Sequence, residues 1–479
     1  MNPVKSLNRE VKDNAGAGGA AALTFALLAA CVAFQLNASM LSPALVTMGK
    51  ELGTDQASIG LSQTWFFTTA ALFSLFLPRL SDVVGRKRIL IIMMLLTAFG
   101  SVVAALAPNI EWLFVGRIIQ GISGPTVPLA LLMLRSAVKD PKRYGSLMGL
   151  ILAVNGGVAG VDSFLGGYLA ENYGFRSIFW FMVVLAVLAA LAVLLLTRES
   201  KPQAGTKMDW RGVFFIVIAV GALLTALNEA TKLVGGMSSQ TLLLSLGLLA
   251  VAAAAFYGFW VTEKRVAEPM VQIQHLRQRA TWAPLLTTTL TMTGIFAVIN
   301  GIVPAFVQAA APVGFGVGPT QTALLILTPY ALLGWIVGPI SGRLAPIFGY
   351  NLVLRVGMLG SVAALLIILF FGFNNLTMMI IGTALLGMMY AGTANIMLNG
   401  LGVVLSPAGN PGFLPGMNAG AFNLGAGLSF LVLPAVLVGT SNLGERTSYL
   451  TVVIVGLVIT VAAFVASLLI PKPVDAEVE

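Results

Sequence analysis

Fourteen apolar runs follow one another along this chain. Each is long enough to cross a bilayer as a helix, and short polar stretches divide them. A spanning helix needs about 20 mostly apolar residues. The runs fall at roughly 21–47, 57–78, 89–108, 112–134, 145–170, 177–197, 212–231, 240–262, 282–308, 319–342, 352–373, 376–404, 412–439 and 447–470. The seventh is the least secure, because Asn228 and Glu229 sit near its outer end. Only 9% of residues are charged and 58% are hydrophobic, against about 25% charged in a soluble protein. Lipid, not water, must face most of such a surface. An all-α membrane protein is expected.

The basic residues orient the helices. With fourteen spans both termini share one side, and that side carries 22 of the 27 Lys and Arg residues. They are Lys5, Arg9, Lys12, Arg79, Arg86, Lys87, Arg88, Arg135, Lys139, Lys142, Arg143, Arg198, Lys201, Lys207, Arg211, Lys264, Arg265, Arg277, Arg279, Arg343, Arg355 and Lys472. The other side has Lys50, Arg176, Lys232 and Arg446, and Arg117 lies within a span. Positive charge stays on the cytoplasmic side, so a multi-pass protein of the cell membrane with both termini cytoplasmic is expected. The net charge of +9 is read as these loops, not as a nucleic-acid surface. Residues 1–20 read as a cytoplasmic tail leading into an uncleaved first helix.

The composition narrows the chemistry. Cys31 is the single cysteine and His275 the single histidine, which leaves no intrachain disulfide and almost no room for a zinc site, a Ser-His-Asp triad or a histidine relay. No metal, no cofactor and no enzymatic activity are expected. Arg79-Leu80-Ser81-Asp82-Val83-Val84-Gly85 after the second run has an echo in Arg343-Leu344-Ala345-Pro346-Ile347-Phe348-Gly349 after the tenth. That placement points to duplicated six-helix halves, an arrangement that binds substrate between the repeats. Two helices are left over between the halves. The expected division is 1–20 tail, 21–200 first bundle, 201–280 extra helices and linkers, 281–470 second bundle and 471–479 tail.

Two intramembrane charges stand out. Arg117 sits in the fourth run with Gln120 one turn along the same face, and a charge at that depth is costly unless paired or hydrated. Snorkelling from the outer end is the bland alternative. Asp162 is the only acid well inside a run. Arg117 is about six residues from the outer end and Asp162 about nine, or roughly 9 and 14 Å. The two runs should be antiparallel neighbours, so an Arg117–Asp162 pair is expected, serving either proton exchange or a permanent structural bond. The polar residues Gln35, Asn37, Gln120, Asn155, Asn300, Tyr330 and Asn395 are candidates for the substrate cavity, with Asn37 and Asn300 preferred as members of the first helix of each half. Gln308, Asn418 and Asn423 are amides read first as bridges between helices. Trp65, Trp335 and Tyr390 could line an aromatic cavity or simply pack.

The loop PRLSDVVGRKRIL can be an ordinary basic loop, but Asp82, Gly85, Arg86 and Lys87 match the loop signature of the major facilitator superfamily, where the segment acts as a gate latch. Pro78 stands where that signature opens with glycine. Arg117, Gln120 and Gly121 in LFVGRIIQGISG resemble the motif of proton-coupled members, in which the arginine is linked to proton movement. Asp209-Trp210-Arg211-Gly212, Leu227-Asn228-Glu229 and Glu268-Pro269-Met270 resemble the extra-helix region of the fourteen-helix drug:proton antiporter branch. The resemblance implies a major facilitator fold of two six-helix bundles plus two extra central helices. It further implies a monomer in the bilayer that exports small drug-like or toxic molecules on the proton gradient. Two departures bear on this. Asp162 and Ser163 replace the Gly-Pro pair that precedes the antiporters' Gly-Gly, here Gly166 and Gly167, and Asn37 replaces the leading acid of the span-1 motif. They keep a carrier of one dedicated metabolite open as the alternative. A membrane enzyme or a sensor has no supporting feature in the small loops.

Overall fold

The computed structural model describes residues 3–138, 140–199, 208–232, 238–266, 273–407 and 413–473. The side chains of 3–18, 141, 142, 145, 152, 153, 155–157, 159, 231, 232 and 273 fall outside that description. No strand occurs among the described residues. Among the described residues, thirteen helices are long and apolar enough to cross a membrane. They are α1 (Gly19–Leu52), α2 (Gln56–Val84), α3 (Arg86–Ala105), α4 (Ile110–Ala137), α6 (Phe175–Leu196), α7 (Trp210–Ala230), α8 (Ser239–Arg265), α9 (Arg279–Gln308), α10 (Pro319–Phe348), α11 (Tyr350–Gly372), α12 (Leu376–Val404), α13 (Phe413–Gly439) and α14 (Glu445–Ser467). The place of the fifth run is taken by α5 (Pro141–Tyr173), whose 33 residues are ample at 1.5 Å each.

The helices break where the sequence removes backbone donors or side chains. The α1 helix opens at Met40 and Leu41 ahead of Pro43 and resumes at Leu45, because proline offers no N–H to the preceding turn. In α4 the chain turns at 122–125, through Ser123-Gly124-Pro125. There a Cβ on Gly121 would strike the Phe66 carbonyl and one on Gly124 the Ala70 carbonyl of α2. The wide π-turns Val298–Ile302 and Ala323–Leu327 directly precede Pro304 and Pro329, which is where a missing donor widens the helix.

The helix contacts repeat between the two ends of the chain. Contacts α1–α5, α1–α6, α2–α4, α3–α4 and α3–α6 are mirrored by α9–α13, α9–α14, α10–α12, α11–α12 and α11–α14. Two seams join the bundles, α2 against α13 and α5 against α10. They exchange places under the same correspondence. The extra pair, α7 and α8, forms a hairpin that touches α2 and α13. Central in the sequence, it is peripheral in space.

The gap between the bundles is closed at one end. Away from the basic loops, Ser42 Oγ donates to Asn300 Oδ1 at 3.3 Å and Gln308 Nε2 donates to the Pro43 carbonyl at 3.0 Å. Glu171 accepts the Thr320 backbone N–H at 3.1 Å. At mid-depth Thr328 Oγ1 donates to the Gly160 carbonyl, and Phe67, Phe296 and Phe430 cluster across the α2–α13 seam. Toward the basic end, Gly149 of α5 and Gly342 of α10 have no neighbour within 4 Å of a Cβ position. The α5–α10 seam is open at these two positions, while Gly420 of α13 stays against Leu75 and Ala71 of α2.

Candidate functional site

Arg117 is fully buried in the first bundle, among four helices. Its guanidinium donates to Gln120 Oε1 at 2.7 Å, to Gln63 Oε1 of α2 at 2.6 Å and to the Asn37 carbonyl of α1 at 3.2 Å. It lies 4.1 Å from the centre of the Phe66 ring. Gln120 is held in turn by Ser101 of α3, at 2.8 Å. Close approach of α3 and α4 permits this, since a Cβ on Gly116 would meet the backbone of Gly100 and Ala104 at 2.8 Å. Amide oxygens and an aromatic face thus solvate the cation. A desolvated cation–π contact contributes about 2 kcal/mol. Snorkelling to the surface is excluded by the burial.

Asp162 is only 2% exposed and belongs to a different neighbourhood. Its Oδ2 accepts from Ser39 Oγ of α1 at 2.5 Å, and its Oδ1 accepts from Ser163 Oγ at 3.3 Å. Gln35 Nε2 reaches Ser39 Oγ at 3.1 Å. Gln35 lies on the half-buried stripe Leu28, Val32, Gln35, Ala38, so a short polar chain runs from the open face of α1 to the carboxylate.

The expected Arg117–Asp162 pair is not formed. Arg117 meets α1 at Asn37 and Asp162 meets it at Ser39. Neither group is among the other's hydrogen-bond or ion-pair partners. Matching depths in the sequence could not reveal this.

The other sequence candidates distribute as follows. Asn37 is 1% exposed; its Nδ2 is turned back to the Ala33 carbonyl at 2.8 Å and its Oδ1 has no partner among the described residues. It therefore lies inside the first bundle, not on the cavity wall. Gln120 is likewise buried, as a ligand of Arg117. Asn300 belongs to the closed end and not to an open wall: its Oδ1 accepts from Ser42, and its Nδ2 donates to the Phe296 carbonyl at 3.0 Å. Gln35 and Asn395 are half-buried on open faces, and half-buried Tyr330 sits where α10 crosses α12 at Gly387. The side chain of Asn155 lies outside the described residues. Tyr390 points its hydroxyl at Met292 Sδ, inside the second bundle.

The loop signature forms a latch within the first bundle. Asp82 pairs with Arg86 at 2.9 Å, and Arg86 also donates to the Leu132 carbonyl near the end of α4 at 2.9 Å. Lys87 Nζ caps α6 through the carbonyls of Leu194 and Thr197, at 2.7 and 2.8 Å. Glu199, which the sequence reading passed over, accepts the Lys87 and Arg88 backbone N–H groups at 3.0 and 3.1 Å. A carboxylate there suits the positive end of α3. Gly85 has φ 116°, and a Cβ would sit 2.7 Å from the Glu199 carboxylate. Gly85→Val is therefore expected to cost about 1–3 kcal/mol through backbone strain alone, read as a lowered melting temperature in detergent. An unchanged melt would mean that the latch is not anchored by this turn.

The family model described as Major Facilitator Superfamily matches residues 27–430. The chain belongs to the major facilitator superfamily. Within it, the chain is 48% identical to the "Uridine/deoxyuridine transporter" of Lactococcus lactis over 470 residues, 98% of each chain. It is 28% identical to "Multidrug resistance protein Stp" of Mycobacterium tuberculosis over 80% of this chain and 68% of that one. Two solved members share the fold: the nucleoside transporter NupG in mutant form, with TM-score 0.62, 13% identity and 94% and 100% of the two chains covered, and a POT family transporter bound to a thioalcohol-conjugated peptide, with TM-score 0.66, 15% identity and 95% and 97% covered.

These findings correct the expected export of drug-like compounds. The near full-length relative is a nucleoside carrier, and the multidrug proteins stand much further off. The two departures from the antiporter motifs, Asn37 and the Asp162-Ser163 pair, leave a carrier of one dedicated metabolite open as the alternative.

Proposed function

We propose that this chain carries uridine and deoxyuridine across a cell membrane by alternating access between its two bundles, as a single chain with both termini in the cytoplasm. The observation that carries this reading is 48% identity to a uridine/deoxyuridine transporter along 98% of both chains. With the basic loops facing the cytoplasm, the closed end is the outer end, and the arrangement described above opens inward. The α7–α8 hairpin, with the resemblances at Asp209-Trp210-Arg211-Gly212 and Leu227-Asn228-Glu229, supports an origin in the fourteen-helix branch whose scaffold now serves a nucleoside; the third, Glu268-Pro269-Met270, lies outside the described residues.

Uridine is uncharged near neutral pH, so concentrating it requires a second, coupled solute. We assign coupling to Asp162, the buried acid connected through Ser39 and Gln35 to the open face of α1. Arg117, in its separate neighbourhood, acts as a fixed cation that holds α1, α2 and α4 in register. The test is uptake of labelled uridine into liposomes that hold the purified protein. Saturable uptake, competed by deoxyuridine and raised by an inwardly directed proton gradient, is the expected result. No saturable uridine flux, beside clear flux of another metabolite, overturns the reading.

A further inference from the structure

A directional chain of amides crosses the second bundle. Thr288 Oγ1 of α9 donates to Asn418 Oδ1 of α13 at 2.7 Å, and Asn418 Nδ2 donates to Asn399 Oδ1 of α12 at 3.2 Å. Asn399 Nδ2 donates both to the Asn395 carbonyl at 2.9 Å and to Asn395 Oδ1 at 3.2 Å. One atom fixes the direction of the whole chain. The Asn395 backbone carbonyl can only accept, so Asn399 must turn its amino group there and its oxygen to Asn418. Asn418 must then donate with nitrogen and accept with oxygen from Thr288. Asn395 has its oxygen toward Asn399, so its amino group faces outward, and it makes no hydrogen bond among the described residues.

That amino group faces the space between the bundles. The second half of α12 touches α9, α10, α11 and α13, so the side left open is the gap, with Asn399 exposed and Asn395 half-buried on it. One turn along α13 from Asn418, toward the closed end, half-buried Phe422 meets half-buried Phe296 of α9 edge-on at 6.0 Å. A flat heterocycle fits such a corner, with ring faces below and a fixed donor at its edge.

Resting on the nucleoside reading above, we infer that Asn395, held by the chain Thr288–Asn418–Asn399, donates to the 4-oxo group of the pyrimidine base while the ring packs in the corner formed by Phe296 and Phe422. The 2-oxo group flanks the glycosidic bond and is crowded by the ribose; the 4-oxo group is the free acceptor. Cytosine carries an amino group at that position, so donor would face donor. Asn395 is the residue that reads the base, and Asn399 is a positioning residue. A site built around one hydrogen-bonding partner rejects the mismatched analogue strongly.

The experiment compares kcat/KM for uridine and cytidine on each protein, a ratio from which the amount of folded carrier cancels. Wild type should prefer uridine by roughly tenfold or more. Asn395→Asp, an acceptor in place of a donor, should lower or reverse that preference; Asn399→Ala should lower it by freeing the Asn395 amide to flip, with kcat/KM for uridine falling toward that for cytidine. Competition with the riboside of pyrimidin-2-one, which lacks the 4-oxo group, reads the same contact on wild type alone; it should compete about as weakly as cytidine. Wild type that carries uridine but does not discriminate, or variants that keep the wild-type ratio, overturn this assignment and leave the proposed function standing. Wild type that carries no uridine overturns the function itself.

Discussion

Asp162→Asn is expected to remove uridine accumulation driven by a pH gradient while leaving uridine exchange at equal pH on both sides. The size of the effect follows from the gradient. One pH unit is worth about 1.4 kcal/mol per proton, so a one-proton carrier concentrates an uncharged solute up to about tenfold under that gradient. Asparagine has the shape of aspartate and keeps both local bonds: its oxygen accepts from Ser39, and its amino group can donate to Ser163. Folding should therefore survive, and what disappears is the ability to take up a proton. The measurement is labelled uridine in liposomes under an imposed gradient, paired with counterflow in the same preparation. Tenfold accumulation by the variant would make Asp162 a structural group. Loss of both accumulation and counterflow would mean that the side chain acts in transport itself and not in coupling.

Much of the architecture was legible in the chain. Apolar runs and the echo at Arg79 and Arg343 depend on local sequence, and the bilayer converts apolar runs directly into helices. The turn at 122–125 in α4 was not read from the chain, although Gly124 and Pro125 are the residue types that interrupt a helix. The site was less legible because its contacts depend on which faces of the helices meet. Gln63 and Ser39, ligands of Arg117 and Asp162, are ordinary polar residues in sequence and gain meaning only from the helix contacts that bring them to the two charges. Asn395 was singled out as one amide among several. The Thr288–Asn418–Asn399 chain that orients it spans three helices, and no local pattern encodes it. Glu199 reads as one acid in a loop until it is found capping α3. No residue in the sequence named a substrate; the departures from the antiporter motifs only kept a dedicated metabolite carrier open.

Gly166→Ala should unfold or inactivate the carrier, whereas Gly149→Ala, the same change in the same helix, should be harmless. A Cβ on Gly166 would collide with the Met40 carbonyl, an atom of the α1 backbone that cannot swing aside as a flexible side chain could. Overpacking of this kind costs about 1–3 kcal/mol, and more where backbone must move. Gly149 has nothing within 4 Å of the added carbon, and replacing a mid-helix glycine by alanine gains about 0.5–1 kcal/mol. Thermal melting in detergent checks both: a fall for the first and no fall for the second. The contact has a second consequence. Gly166 lies one turn beyond Asp162, and Met40 follows Ser39, so a methyl group that pushes α5 away from α1 also stretches the 2.5 Å bond between Ser39 and Asp162. A folded fraction of Gly166→Ala should thus lose proton-driven accumulation as Asp162→Asn does, even though its carboxylate is intact. If that fraction stays fully coupled, the close packing of α5 on α1 serves stability alone, and the Ser39 bond is not needed to place the acid.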